Sequence, residues 1–376
     1  MHYKRFIMML PNLSLINVNS NQGARGCFHQ RGWKPCLKSA VLCTFGSFLL
    51  LFLCDCDAAG SEFSRISESQ SSRQLTLTER ISEIGFSQTI EVSDVLLETR
   101  SSFQDIKIYQ SPHFGKVLVL DDVVQITERD GDSYNEMMAH IPMMAHPSPK
   151  RVLVIGGGDG YVLSEVLKHP SVEHVDHVDL DAEVIDVCRK YFPWGDAWDD
   201  PRVRLHTVDG SSFIRNAQKG FYDVIVQDSS DPFGDDGEIL PSSVLYEKEH
   251  FHHLYAALAD NGVFNFQAET LGIPSDFNGI LKWRSLLLAD DMFKAVRYGT
   301  IAIPTYPTGQ IGFLLCTKKK ETAVMNERKM ASIRERFNAI EENHMGTTYY
   351  QPRLQISAFD LPLAAERRIY GSDFVL

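Results

Sequence analysis

The body of this sequence is short of cysteine, of basic charge and of long apolar runs, and each shortage removes a class of protein. Of seven cysteines in 376 residues, Cys27, Cys36, Cys43, Cys54 and Cys56 crowd the N-terminal stretch, and only Cys188 and Cys316 follow. Two cysteines about 130 residues apart make neither a disulfide framework nor a thiolate metal cluster, so the body reads as a cytoplasmic-type, reducing-compartment enzyme. Residues 1–57 hold six Lys and Arg against Asp55 and Asp57; that +4 leaves −16 on the remainder of a chain whose net charge is −12. A body this acidic lacks the cations that displace counterions from a phosphate backbone, which excludes nucleic acid as a partner. It favours cationic ligands, though only weakly. The apolar run Ala40–Cys54 has 15 residues, short of the roughly 20 that span a bilayer. It follows a basic stretch and precedes Ala58-Ala59-Gly60, the order of a signal-peptide apolar region and its cleavage site. A cleaved leader, a signal anchor touching membrane through residues 40–54, and a mispredicted start of a cytosolic chain all stay open, and with them the compartment.

Past this leader (1–60) and a Ser-rich linker (61–79), two textures follow. From about 80 to 145, short alternating segments at Thr89–Val92, Ile106–Tyr109, Val117–Leu120 and Val123–Ile126, punctuated by Pro112, Gly115 and Asp121-Asp122, predict a small antiparallel β domain. A helix is expected over Ser133–Ala145, its Met137, Met138, Ile141 and Met144 at core spacing. From 146 to 320, strands near 152–155, 175–180, 203–208, 223–227 and 262–267 alternate with helical segments. That alternation predicts an α/β fold, a doubly wound Rossmann-like sheet of the methyltransferase type. A C-terminal helix and tail (321–376) complete the chain. Ligands of such sheets bind at the carboxyl ends of the strands.

Those ends are rich in acids. The first strand runs into Gly156-Gly-Gly-Asp-Gly-Tyr161, where glycines let backbone approach a ligand closely. The second ends at Asp179, placed to accept from ribose hydroxyls, and the third at Asp209-Gly210, placed to meet an adenine edge. Three acids at successive strand ends favour an adenosine nucleoside without phosphates, because Asp159 would repel a pyrophosphate. The fourth strand ends in Asp228-Ser-Ser-Asp231-Pro232. Two neighbouring carboxylates disfavour joint ionisation, so one can act as a base while the pair holds a cation. A substrate amine, protonated at neutral pH, needs both services.

The stretches Gly115–Asp121, Thr127-Glu-Arg-Asp130, Ser133-Tyr134, Val154–Gly160, Asp228–Pro232, Ile303-Pro-Thr-Tyr-Pro-Thr-Gly-Gln-Ile-Gly312, Tyr349–Pro352 and Ser357–Pro362 together resemble the polyamine aminopropyltransferases, the spermidine synthase family, from about Phe86 to Pro362. The resemblance implies transfer of the aminopropyl group of decarboxylated S-adenosylmethionine, a co-substrate, to putrescine, with no metal or other cofactor. It implies Asp228 as the base, an acceptor channel of Tyr134, Asp231, Gln267 and Tyr306, and donor contacts from Gln104, Asn135, Asp159, Asp179, Asp209 and Gly210. It also implies a homodimer with the small β domain at the interface.

Asp179 stands where the family usually has Glu, Asn135 where it has Gln or His, and Tyr161 where a glycine opens the helix. The segment Asp235–Ser243 is longer and more acidic than the family's, and Gln267–Gly272 lacks the usual Trp. Both latter changes flank the expected channel and raise the alternative of a longer acceptor, as in spermine or thermospermine synthases. Putrescine N-methyltransferases share the scaffold, but their donor keeps a carboxylate that Asp159 would repel. A non-catalytic regulatory paralogue is the rival of another class, and the intact Asp228, Asp231, Tyr134 and Tyr306 speak against it.

Overall fold

The computed structural model describes residues 43–45, 48–50, 75–232, 239–323, 325–342 and 346–371, which fall into two units, 1–69 and 70–376. In the first unit, β1 (Cys43–Phe45) and β2 (Phe48–Leu50) pair antiparallel. Among the described residues no helix is long and apolar enough to cross a membrane.

The second unit opens with two small antiparallel sheets. β3 (Leu75–Ile81) pairs with β4 (Phe86–Val92), and β5 (Asp94–Arg100), β6 (Asp105–Ser111), β7 (Gly115–Leu120) and β8 (Val123–Thr127) form a meander. The alternation in the sequence marked four of these six strands. β3 begins inside the stretch expected to be linker although Leu77, Glu79 and Ile81 alternate inward against exposed Thr76, Thr78 and Arg80, whereas β5 buries none of its residues and carries no clear apolar face.

α1 (Gly131–Ala145) leads into a seven-stranded sheet: β9 (Arg151–Gly156), β10 (His174–Asp179), β11 (Val203–Thr207), β12 (Tyr222–Asp228), β13 (Leu258–Gln267), β14 (Ala295–Ala302) and β15 (Gln310–Thr317), in the spatial order β11-β10-β9-β12-β13-β15-β14. The first five run parallel, as expected. β15 runs antiparallel to both neighbours, so the sheet is mixed. The reason is connectivity: β14 and β15 are joined by a short loop, which permits only an antiparallel pair, whereas parallel neighbours need a helical crossover. β9, β12 and β13 are nearly continuous apolar runs because both of their faces are covered. α1, α2 (Tyr161–Leu167) and α3 (Ala182–Tyr191) pack on one face; α4 (Gly210–Arg215), α5 (Lys248–Ala257) and α6 (Pro274–Leu288) pack on the other.

α1 is buried on all sides except at Asp132, which explains its methionine and alanine content. The C-terminal segment covers it. Glu136 accepts backbone N–H bonds from Thr348, Tyr349 and Tyr350, and Arg336 donates to the carbonyls of Met143, Met144 and His146. These contacts fix the helix that carries Tyr134.

Candidate active site

Strand order reverses between β9 and β12, whose carboxyl ends lie side by side with Asp228 in register with Gly156. That switch point is where a doubly wound sheet opens a crevice, and a cavity of about 750 Å³ opens there. All eleven residues singled out from the sequence line it.

The donor half is built by the glycine loop and the ends of β10 and β11. Gly156 has φ +77°, and a Cβ on it would lie 2.1 Å from the Asp228 carbonyl oxygen, so only glycine lets β9 turn against β12. A Cβ on Gly158 would come within 2.8 Å of Asp179 Oδ2. Asp179 accepts from the Asp181 N–H at 2.8 Å, and burial pushes its pKa up to about 6. Asp159 is likewise pushed up to about 6 by burial, while the Tyr161 N–H, at 2.8 Å, partly offsets this. Tyr161, the residue in place of a helix-opening glycine, donates its hydroxyl to Asp132 and stacks on Trp194 at 4.1 Å; Trp194 Nε1 in turn donates to the Asp159 carbonyl at 2.7 Å. Gln104 donates to Asp181 Oδ2 at 2.9 Å, an acid the sequence reading passed over because it also caps α3. Asp209 is exposed and uses Oδ1 to cap α4 through the Ser212 N–H at 2.6 Å. Asn135 is buried, with Nδ2 on the Gly131 carbonyl and Oδ1 without a partner.

At the junction, Tyr134 Oη donates to Asp228 Oδ1 at 2.5 Å. Burial pushes Asp228 up to about 7; the charge of Asp159 adds to this and the Tyr134 hydrogen bond opposes it. The sequence suggested that Asp231 would be the perturbing neighbour, but it ranks behind both burial and Asp159. Tyr306 lies 5.8 Å from Tyr134, ring centre to ring centre, and donates to the Gln125 carbonyl at 2.6 Å. Its loop is pinned by Asp130, which accepts from the Thr305 N–H at 3.0 Å and from the Thr305 hydroxyl at 2.8 Å.

The acceptor half is assembled from distant segments. Gln267, at the end of β13, donates to Asp231 Oδ1 at 3.3 Å and accepts from Tyr246 Oη at 3.2 Å. Glu269 and Asp276, buried acids that the sequence reading assigned no role, line the far wall. Asp276 reads in sequence as an ordinary first-turn acid of α6, and only the fold turns it inward. A strap from the small sheets closes this end: Glu83 accepts from the Ser275 N–H at 3.1 Å and from its hydroxyl at 2.5 Å, and Gln88 donates to the Thr305 carbonyl. Asp235, Asp236 and Glu238 lie outside the described residues. Among the described residues, the cavity wall holds eleven carboxylates and no Lys, Arg or His, and no cluster of His, Cys, Asp and Glu is arranged to hold a metal ion.

Comparison with known proteins agrees with this geometry. A family model described as Spermine/spermidine synthase domain matches residues 131–326, and one described as Spermidine synthase tetramerisation domain matches 77–128. Spermidine synthase 2 of Arabidopsis thaliana is 39% identical over 287 residues, covering 76% of this chain and 81% of the relative. A spermine synthase of the same organism is 38% identical over 293 residues, covering 76% of each. The crystal structure of spermidine synthase from Thermotoga maritima superposes with a TM-score of 0.68 at 29% identity, covering 81% of this chain and 97% of that one. A crystal structure of spermidine synthase in complex with the transition state analogue AdoDATO matches equally well.

Proposed function

This chain belongs to the spermine/spermidine synthase family, and from that membership we propose that it transfers the aminopropyl group of decarboxylated S-adenosylmethionine to putrescine, giving spermidine and methylthioadenosine. The observation that carries this reading is the cavity's charge: eleven carboxylates and no cation among the described lining residues, a wall suited to a cationic donor and a cationic amine together.

In this reading the donor's nucleoside lies along Gln104, Asn135, Asp179, Asp209 and Gly210. Asp159 pairs with the ammonium of its aminopropyl arm, and would repel the extra carboxylate of intact S-adenosylmethionine. The acceptor enters as an ammonium past Tyr306, with Asp231 and Gln267 holding its far end. Asp228, with a pKa of about 7, takes one proton from the near ammonium. Tyr134 orients that carboxylate through the 2.5 Å bond. The freed lone pair attacks the aminopropyl methylene carbon bonded to the sulfonium sulfur, the C–N bond forms as that C–S bond breaks, and the electron pair leaves on sulfur as neutral methylthioadenosine. Sulfonium is already a good leaving group, so the protein's share is orientation and proton removal.

We also propose assembly through the small β sheets, as a homodimer or larger. The match to the tetramerisation domain supports it, as do Leu75, Phe86 and Val95, large apolar residues exposed on those sheets.

The test is methylthioadenosine release by the purified chain, offered the decarboxylated donor and a panel of amines, with product identified by mass. Release that depends on putrescine and yields spermidine supports the proposal; release with no dependence on any amine overturns it.

A further inference from the structure

Asp159 sits in a stretch that cannot hold it by itself. Four of the five residues Gly156–Gly160 are glycine, and Gly156, Gly157 and Gly160 take positive φ, so the loop has wide backbone freedom and no neighbouring side chain to anchor it. Its order comes from outside. The segment after α3 supplies two tryptophans, Trp194 and Trp198, one for each end of the loop. Trp198 Nε1 donates to His177 Nδ1 at 2.7 Å, which leaves the His177 proton on Nε2, where it is donated to the Gly156 carbonyl at 2.8 Å. Burial lowers the His177 pKa to about 4, so the ring is neutral and keeps that tautomer near neutral pH. A Cβ on Gly160 would lie 2.4 Å from Trp198 Cη2, so the loop closes directly on the indole.

Trp194 takes the other end. Its Nε1–H donates to the Asp159 carbonyl at 2.7 Å, and its ring stacks on Tyr161 at 4.1 Å and 16° and on Phe192 at 4.9 Å and 17°. Tyr161 links back to the loop and to α1. Its N–H binds Asp159 Oδ1 at 2.8 Å, and its hydroxyl donates to Asp132, two residues before Tyr134. The carbonyl of Asp159 and one oxygen of its carboxylate are therefore both held, and with them the direction of the side chain. Neither Trp194 nor Tyr161 is among the described residues that line the cavity, so they reach a ligand only through the residues they hold. A glycine at 161, which the family usually has, offers neither the ring nor the hydroxyl.

We propose that Trp194 and Tyr161 are positioning residues that aim the Asp159 carboxylate at the ammonium of the donor's aminopropyl arm. A carboxylate aimed in advance need not be ordered when the donor arrives, whereas one on an unbraced glycine loop must be immobilised at that moment, and the contact it makes is weakened by that cost. Methylthioadenosine has the nucleoside but no aminopropyl arm, so its binding is indifferent to where Asp159 points. The inference rests on the pairing of Asp159 with the donor's ammonium proposed above, and the two can fail separately.

The test uses the full chain and measures, by calorimetry, the Kd for the decarboxylated donor and for methylthioadenosine. The chains compared are wild type, Trp194→Phe, Tyr161→Gly, Asp159→Asn and the double variant of Asp159→Asn with Trp194→Phe. Trp194→Phe keeps an aromatic ring and deletes the Nε1–H. It should weaken the decarboxylated donor roughly 3–10-fold, the scale of one hydrogen bond, and methylthioadenosine by less than about twofold. Tyr161→Gly should shift the ratio of the two Kd values in the same direction. On top of Asp159→Asn, Trp194→Phe should cost the decarboxylated donor no more than about twofold, because the group being aimed is gone. An equal loss for both ligands, no loss for either, or an undiminished loss in the double variant overturns the positioning role and leaves the Asp159 contact standing. If Asp159→Asn binds the decarboxylated donor as tightly as wild type, the ammonium contact fails and the positioning role with it. If Trp194→Phe lacks a cooperative melting transition, Tyr161→Gly decides alone: a loss confined to the decarboxylated donor supports the role, and any other result overturns it.

Discussion

The two halves of the cavity are built on different principles. The donor half is made of consecutive strand ends, β9, β10 and β11, whose spacing is fixed by the hydrogen-bond ladder of one sheet. The acceptor half is made of side chains from the end of β13, the start of α6, the loop before β15 and a strap from the small sheets, held by individual contacts such as Asp130 with Thr305 and Glu83 with Ser275. In the half set by the sheet the backbone positions are fixed by the ladder, and only the side chains at them can change. In the half assembled from separate segments each segment can move on its own when the contact that holds it is changed.

Substitutions can sharpen this contrast, and the largest effect belongs to the junction. Asp228→Asn removes the proton acceptor and should lower kcat by roughly 10²–10⁴-fold with any acceptor amine, read by methylthioadenosine release. Next comes the donor half: Asp159→Asn should raise the KM for the decarboxylated donor by roughly 10–100-fold while narrowing the preference over intact S-adenosylmethionine, measured by competition binding. An unchanged preference would break the assignment of the two halves. Tyr134→Phe should cost about tenfold in kcat/KM. The lost hydrogen bond held the Asp228 pKa down, so the acid limb of the pH profile should also move upward from about 7. The smallest effect is expected at the strap, where Glu83→Ala should change the KM for the amine by only a few-fold, because Glu83 is exposed.

A stability measurement compares the halves directly. Asp159 and Asp179 are raised to about 6, and Asp228 and Asp276 to about 7. A carboxyl whose folded pKa is raised stabilises the fold fully below its unfolded value, about 4, and that stability is lost as pH climbs through the folded value. The melting temperature of the substrate-free protein should therefore fall between about pH 5 and 8. Asp276→Asn should flatten the upper part of that fall, and added polyamine should reverse it above pH 7. A melting temperature indifferent to pH would count against the buried charge in both halves.

Much of this was legible beforehand, unevenly so. The parallel strands, the glycine loop and the acids at Asp159, Asp179 and Asp228 follow from a period-two or continuous apolar pattern that stops at glycine or aspartate. The antiparallel β14–β15 pair, the strand β5 and the acid Asp276 do not announce themselves, because a half-exposed strand has little alternation and a first-turn acid looks like any helix start; β3 does alternate, and was hidden only by the Ser-rich composition before it. Asp209 was legible as a site residue, yet one of its carboxylate oxygens is engaged in capping α4.

By itself the sequence determined an α/β sheet whose carboxyl ends gather acids around a nucleoside-sized crevice, because local periodicity and glycine placement dictate strands and turns. Only the tertiary structure decided which acids become buried neighbours and which stay solvated. Burial depends on what packs from the other side, and Glu83 meets Ser275 and Asp130 meets Thr305 across gaps that no local pattern spans.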